Sequence, residues 1–205
     1  MWTLKTVGRA AAPTANSSLG AAIWAPAHMS VFYQDSAGSI LESEFANGTW
    51  ARPRAVATAK LGTDIVAVAA SNANGTLKAV YVQEGANIIQ WLSSASSDWS
   101  NTTITPSPEL SSNSRFSFNS GRMHYTSADG GIAEMTGRVG QWRQSGKLSV
   151  SNSGPATDVA SGLALFDWAF VFYSTADDTL WNQGYFTYYG WQRPLEFVPS
   201  GVPWT

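Results

Sequence analysis

The chain has 205 residues, of which 44% are apolar and 13% are charged, about half the usual charged share. The net charge of −2 provides no basic surface for nucleic acid, and the absence of cysteine excludes disulfides, thiol catalysis and cysteine-ligated metals. The sequence contains no run of 18 apolar residues, so no transmembrane helix is predicted. Residues 1–13 lack the apolar segment of a signal peptide, so a cytoplasmic location or non-classical secretion is expected.

Tryptophan recurs at a nearly constant interval, and from the second occurrence onward each one follows two strand-like segments. The successive spacings are 48, 49, 43 and 49 residues. A period in this range is typical of the four-stranded blade of a β-propeller. We therefore predict an all-β propeller, either a single domain over 1–205 or a partial propeller. The recurring residues are Trp2, Trp50, Trp99, Trp142 and Trp191.

The predicted strands follow the same order in four repeats, at about 19–58, 64–105, 114–150 and 158–198. In the first repeat, alternating or apolar segments predict strands at 21–24, 29–34 and 39–45, and Asn47-Gly48 predicts a hairpin turn before Trp50. The corresponding strands are predicted at 65–70, 77–83 and 87–92 in the second repeat. In the third repeat they are predicted at 115–118, 122–127 and 131–136, and in the fourth at 159–166, 169–174 and 179–185.

One strand, at 2–7, has no blade of its own. Because a blade buries its faces only against neighbouring blades, the open ends of the array need a cover. A second chain, a fifth blade built from the two termini, or the rest of a longer chain would each provide one. We expect a homo-oligomer, or a ring completed by another chain.

The second and third strands of the first repeat carry a family resemblance. The segment 31–42 reads VFYQDSAGSILE. It resembles the repeat of fungal and bacterial fucose-binding lectins, the Aleuria-type propeller lectins, which reads RVYYQD, a glycine turn, I-x-E and later GW. The resemblance extends over essentially the whole chain, blade by blade.

This resemblance implies where a sugar would bind. In the family, an Arg and a Glu about 12 residues apart hold the sugar hydroxyls and ring oxygen. A Trp of the next blade stacks on the apolar sugar face, helped by an aromatic residue before it. The complete set occurs once in this chain, as Arg122, Glu134, Tyr185 and Trp191.

The other repeats depart from the pattern. The first keeps Glu42, with Trp99 facing it, but has Ser30 in place of the Arg, which makes it a second and weaker candidate site. The charges are missing from the remaining two, which carry Ala79 with Gln90 and Phe170 with Asn182.

Three functions stay open at this point. The first is a lectin for a fucosylated glycan or related sugar, with no catalytic residue, cofactor or metal. The second is a lectin-like biosynthetic enzyme, a cofactor-free pericyclase such as a hetero-Diels-Alderase, which needs an aromatic, water-poor pocket for an apolar small molecule. The third is a repeat scaffold for protein partners. A surface ion pair is the plain alternative for Arg122 with Glu134, and His124 is expected to be structural.

Overall fold

The structure is a computed structural model that describes residues 13–15, 17–24, 28–72, 75–94, 97–119, 121–139, 141–148, 155–164, 168–186 and 189–196. Over these residues the regular structure is entirely β, with eighteen strands in four antiparallel sheets. The chain divides into two compact units, residues 1–104 and 105–205, with two sheets each. None of the described residues form a helix that could cross a membrane. The strand predicted at 2–7 lies outside the described residues.

The first blade contains five strands. They are β1 (Leu19–Ile23), β2 (Met29–Gln34), β3 (Ser39–Ala46), β4 (Thr49–Trp50) and β5 (Arg54–Thr58), in the order β1-β2-β3-β4 with β5 also paired to β3. Asn47 and Gly48 have φ angles of 52° and 79°. Positive φ at both central residues is the geometry of a tight hairpin turn, as the Asn-Gly dipeptide predicts.

The second blade has four strands in simple order, β6 (Val66–Asn72), β7 (Gly75–Glu84), β8 (Asn87–Ser94) and β9 (Ser97–Ile104). An apolar core lies between the two blades of this unit and includes Phe32, Ile40, Val80 and Val82. Gly20 on β1 lies so close to the second blade that an added Cβ would be 2.9 Å from the Cγ2 atom of Ile65. These two sheets therefore pack face to face, with no room for a side chain at that point.

The second unit repeats the arrangement. Its third blade contains β10 (Phe116–Asn119), β11 (Arg122–Thr126), β12 (Ile132–Arg138) and β13 (Gln141–Leu148). Its fourth blade contains β14 (Ala156–Ala164), β15 (Trp168–Thr175), β16 (Leu180–Phe186), β17 (Gly190–Trp191) and β18 (Leu195–Glu196). The core between them includes Ile132, Leu148, Val159, Val171 and Tyr173.

The outer strand is interrupted in the first and fourth blades and continuous in the other two. In both blades the outer strand stops after a Trp and begins again after a Pro. The two segments are Trp50-Ala51-Arg52-Pro53 and Trp191-Gln192-Arg193-Pro194. Proline has no N–H to donate to a strand ladder, so pairing stops before it and resumes one residue later. The all-β propeller fold is confirmed, while the single outer strand predicted for each blade is split in these two.

Candidate functional site

The charged candidate residues lie on the second and third strands of their blades, where an antiparallel register places alternate side chains on one face. In the third blade, His124 on β11 is paired with Glu134 on β12, and Arg122 is paired with Thr136. Arg122 and His124 are two residues apart, so both side chains lie on the face that carries Glu134. The spacing of 12 residues between Arg122 and Glu134 is thus a diagonal neighbour relation across a hairpin.

Arg122 and Glu134 form a close ion pair. The Nη1 atom of Arg122 lies 2.9 Å from each of the two carboxylate oxygens of Glu134. The Glu134 side chain is 5% exposed, whereas that of Arg122 is 23% exposed. Solvent therefore reaches the guanidinium while the carboxylate behind it is almost completely buried.

Two more side chains hold the Glu134 carboxylate. The Nε2 atom of buried His124 lies 3.0 Å from Oε2, and the Ser145 hydroxyl donates to Oε1 over 2.5 Å. A carboxylate only accepts, so Nε2 of His124 carries the proton. Burial by itself would raise the pKa of Glu134, but the hydrogen bonds from His124, Ser145 and Arg122 outweigh it and lower that pKa from 4.5 to about 2.

The fourth blade supplies the aromatic side of this site. Tyr185 on β16 is paired with Trp191 on β17, and their ring centroids are 5.3 Å apart. The Cζ atom of Arg122 lies 3.9 Å from the centroid of the Tyr185 ring, a cation–π contact. The Trp191 ring meets the His124 ring edge to face at 5.5 Å. All four residues expected from the sequence are thus brought together in one group, the Arg122 cluster, which consists of Arg122, His124, Glu134, Ser145, Tyr185 and Trp191.

Two members of the Arg122 cluster were not among the site residues expected from the sequence. His124 was expected to be structural, which agrees with a buried ring bonded to the Glu134 carboxylate, and Ser145 on the outer strand β13 was not singled out. His124 is two residues from Arg122 on a strand, so the period of two places it on the same face. That signal was available in the sequence, whereas the approach of β13 to the carboxylate depends on the register of a third strand.

Glu42 lies at the corresponding place in the first blade and is held by a different set of cations. Ser30 donates to its Oε1 atom over 2.6 Å, and the ammonium of Lys78 lies 2.5 Å from the same oxygen. Arg54 donates to Oε2 through Nε at 3.0 Å and Nη2 at 2.9 Å. Lys78 also lies 2.9 Å from Oε2 of Glu44. We call Ser30, Glu42, Glu44, Arg54 and Lys78 the Glu42 cluster.

The cation that replaces the missing Arg comes from the neighbouring blade. Lys78 lies on β7, its side chain is 10% exposed, and its Nζ atom lies 5.1 Å from the Trp24 ring centroid and 6.0 Å from that of Trp99. Burial would raise the pKa of Glu42, but hydrogen bonds from Lys78 and Ser30, the Lys78 charge and the Arg54 hydrogen bond lower it overall. Glu42 and Trp99 thus both lie against the ammonium group of Lys78, which is placed between them.

One feature of the sequence could have pointed to Lys78. It is the one charged residue in the mostly apolar segment 77–83, the second predicted strand of its repeat, and a charge buried in a sheet needs a partner. The identity of that partner could not be read from spacing, because Glu42 is 36 residues away. Ala79 and Gln90, which stand at the family's charged positions in the second blade, are both buried there.

Comparison with known proteins agrees with this architecture. A model of the family described as fungal fucose-specific lectin matches residues 15–203. A search of curated protein sequences finds no match.

Three solved lectin structures illustrate the shared fold. The BP39L lectin from Burkholderia pseudomallei has a TM-score of 0.72 at 15% identity, covering 94% of this chain and 58% of its own. The Aleuria aurantia lectin, described as a six-bladed β-propeller with a novel fucose recognition mode, has a TM-score of 0.67 at 18% identity, covering 86% and 62%. The AofleA protein from Arthrobotrys oligospora has a TM-score of 0.64 at 20% identity, covering 88% and 56%.

The chain therefore spans between 56% and 62% of the length of these lectins. At such identities the structural likeness shows the propeller fold, and the family assignment rests on the match to the family model, which covers most of the sequence. The resemblance noted in the repeats is confirmed, and the chain belongs to the fungal fucose-specific lectin family.

Proposed function

We propose that this chain is a carbohydrate-binding lectin that binds fucose or a closely related sugar at the Arg122 cluster. The observation that carries the proposal is the state of the Arg122 guanidinium. Its Nη1 atom donates to both carboxylate oxygens of Glu134, whereas its Nε and Nη2 atoms donate no hydrogen bond to any described residue. Three N–H donors in a fixed plane are therefore free to donate to sugar oxygens.

The rest of the cluster holds this donor group in place. Glu134 fixes the Nη1 edge, and the Tyr185 ring supports the plane of the guanidinium at 3.9 Å. A group that is already ordered loses little conformational freedom when a ligand binds. Trp191 lies beside Tyr185 and supplies the flat apolar surface that a C–H-rich sugar face needs.

The burial of Glu134 favours a binding role over a simple surface ion pair. An exposed Arg–Glu pair contributes little and needs no further partners. Here the carboxylate is 5% exposed and interacts with three different side chains, an arrangement that positions the guanidinium accurately. The same charged, polar character argues against the pericyclase alternative, because that reaction needs an apolar and water-poor pocket.

A single site of this size gives modest affinity, so the lectin would gain strength from several sites acting together. The expected homo-oligomer, or ring completed by another chain, would repeat the Arg122 cluster and increase avidity for a surface that carries many fucosylated glycans. This is part of the proposal.

Isothermal titration calorimetry with L-fucose tests the assignment. Wild type and Arg122→Ala are compared with Arg115→Ala, which removes an exposed arginine of the same unit that lies outside the cluster. Wild type and Arg115→Ala should give the same saturable heat, and Arg122→Ala should give none, with circular dichroism showing that all three are folded. Equal fucose binding by folded Arg122→Ala, or no binding by wild type, would contradict the proposal.

A further inference from the structure

A cleft in the first blade is lined in part by Glu42, Glu44 and Arg54 of the Glu42 cluster. It has a volume of about 500 Å³, within the range that accommodates a small ligand. The cleft is formed by β3, by the turn after it and by the segment that joins β4 to β5. Its lining residues are Glu42, Glu44, Ala46, Asn47, Thr49, Ala51, Arg52 and Arg54.

The charges around this cleft are not evenly matched. Arg52, Arg54 and the adjoining Lys78 carry three positive charges, and Glu42 and Glu44 carry two negative ones. Lys78 contacts both carboxylates, and Arg54 contacts Glu42 as well. The cleft is therefore locally positive by one charge, although the whole chain has a net charge of −2.

The surplus lies on groups that can reach a ligand. Arg52 is exposed and has no ion pair or hydrogen bond with any described residue. The Arg54 side chain is 56% exposed and commits only Nε and Nη2 to Glu42, so both N–H groups of its Nη1 atom stay available. Two arginines on one cleft, each with free N–H donors, suit a carboxylate or sulfate group, because two oxygens of either group can accept a pair of N–H bonds from one guanidinium.

The lining also excludes the ligand proposed for the Arg122 cluster. Among the described residues, none that lines the cleft is aromatic, and the nearby Trp24 and Trp99 rings lie against the Lys78 ammonium. The cleft therefore has no flat apolar surface for the C–H face of a neutral deoxy sugar. A ligand held here must be bound mainly by hydrogen bonds and charge.

We propose that this cleft binds an acidic sugar residue, one that carries a carboxylate or a sulfate, through Arg52 and Arg54. The chain would then recognise two chemically different sugars, a neutral one at the Arg122 cluster and an anionic one in the first blade. The proposal depends only on the geometry of the first unit and does not require fucose binding by the second unit.

Calorimetric titration of three monosaccharides tests this assignment. Glucuronic acid provides the carboxylate, N-acetylglucosamine 6-sulfate provides the sulfate, and glucose is the neutral control. At least one of the two acids should bind, and more weakly as salt is added, while glucose should not bind. Binding of one acid only would identify which oxyanion the site prefers. Binding of neither acid, or equal binding of glucose, would overturn the proposal.

Variants then locate the binding. Arg52→Gln should weaken the acidic sugar by about 10- to 100-fold, the loss expected for hydrogen bonds between charged groups. It should also fold normally, because Arg52 is exposed and makes no ion pair or hydrogen bond with a described residue. Arg122→Ala serves as the matched control and should bind the acidic sugar unchanged, so a failure of fucose binding and a failure of this proposal give different results. Undiminished binding by Arg52→Gln, or a loss in Arg122→Ala, would show that the cleft is not the site.

Discussion

Replacing Glu134 with glutamine should remove the part of the acid sensitivity of the second unit's stability that comes from this carboxylate. In the folded chain, the hydrogen bonds from His124, Ser145 and Arg122 overcome the effect of burial and lower the Glu134 pKa from 4.5 to about 2. Because folding lowers the pKa, the ionised carboxylate stabilises the folded state. That contribution is complete above pH 4.5 and is lost as the pH falls towards 2.

The size of the effect follows from the two pKa values. They differ by about 2.5 pH units, and at about 1.4 kcal/mol for each unit the ionised form contributes about 3 kcal/mol to the free energy of unfolding. The side chain is 5% exposed, so screening by solvent is small. Glutamine has the shape of the protonated carboxyl but cannot ionise, and Glu134→Gln should therefore lose this contribution at every pH.

Urea denaturation at pH 7 and at about pH 2.5 measures the difference directly. At pH 7 Glu134→Gln should be less stable than wild type by about 3 kcal/mol, and near pH 2.5 most of this gap should close. Glu109→Gln, which changes an exposed carboxylate of the same unit, should follow wild type at both values. Equal stability of Glu134→Gln and wild type at pH 7, or a gap that persists unchanged in acid, would refute the reasoning.

Three further substitutions test other parts of the account. Lys78→Met should lower the free energy of unfolding by about 3–5 kcal/mol in urea denaturation, because the buried carboxylate of Glu42 loses its most buried cation; a neutral effect would mean that Arg54 alone suffices. Gly20→Ala should cost about 1–3 kcal/mol in the same assay, since its Cβ would lie 2.9 Å from Ile65, and an unchanged midpoint would show that the two sheets can separate there. Arg122→Lys should keep the charge but weaken fucose binding by about 10-fold or more in calorimetry, because lysine lacks the planar fork of donors; wild-type affinity would indicate that charge alone is needed.

The fold was largely predictable because its signals are local. Alternating side chains define a strand, Asn47-Gly48 permits the turn that needs two positive φ angles, and the repeated Trp marks each outer strand. The interruption of the outer strand before Pro53 could also have been predicted from the sequence, since proline cannot donate a hydrogen bond to the strand ladder. The interruption was not predicted because the outer strand was assigned from the position of the Trp alone, without considering the proline three residues after it.

The charged pair of the candidate site was predictable because both residues belong to one hairpin, whereas Tyr185 and Trp191 of the next blade were expected only from the family resemblance. Arg122 and Glu134 are diagonal neighbours on adjacent strands, so their spacing of 12 residues is a property of the hairpin itself. Lys78 reaches Glu42 from another blade, and the distance between two blades depends on how their faces pack. No spacing rule within a repeat could therefore have paired them.

The most direct test of the central claim asks which tryptophan senses the sugar. L-Fucose is titrated into chain labelled with ¹⁵N, and the indole N–H resonances are followed by NMR, with Trp191→Phe and Trp142→Phe identifying the two resonances of interest in the second unit. If the Arg122 cluster binds fucose, the Trp191 resonance shifts and saturates with the sugar, while that of Trp142, which packs on Phe118 away from the cluster, stays in place. A Trp191 resonance that does not move at saturating fucose would contradict the account.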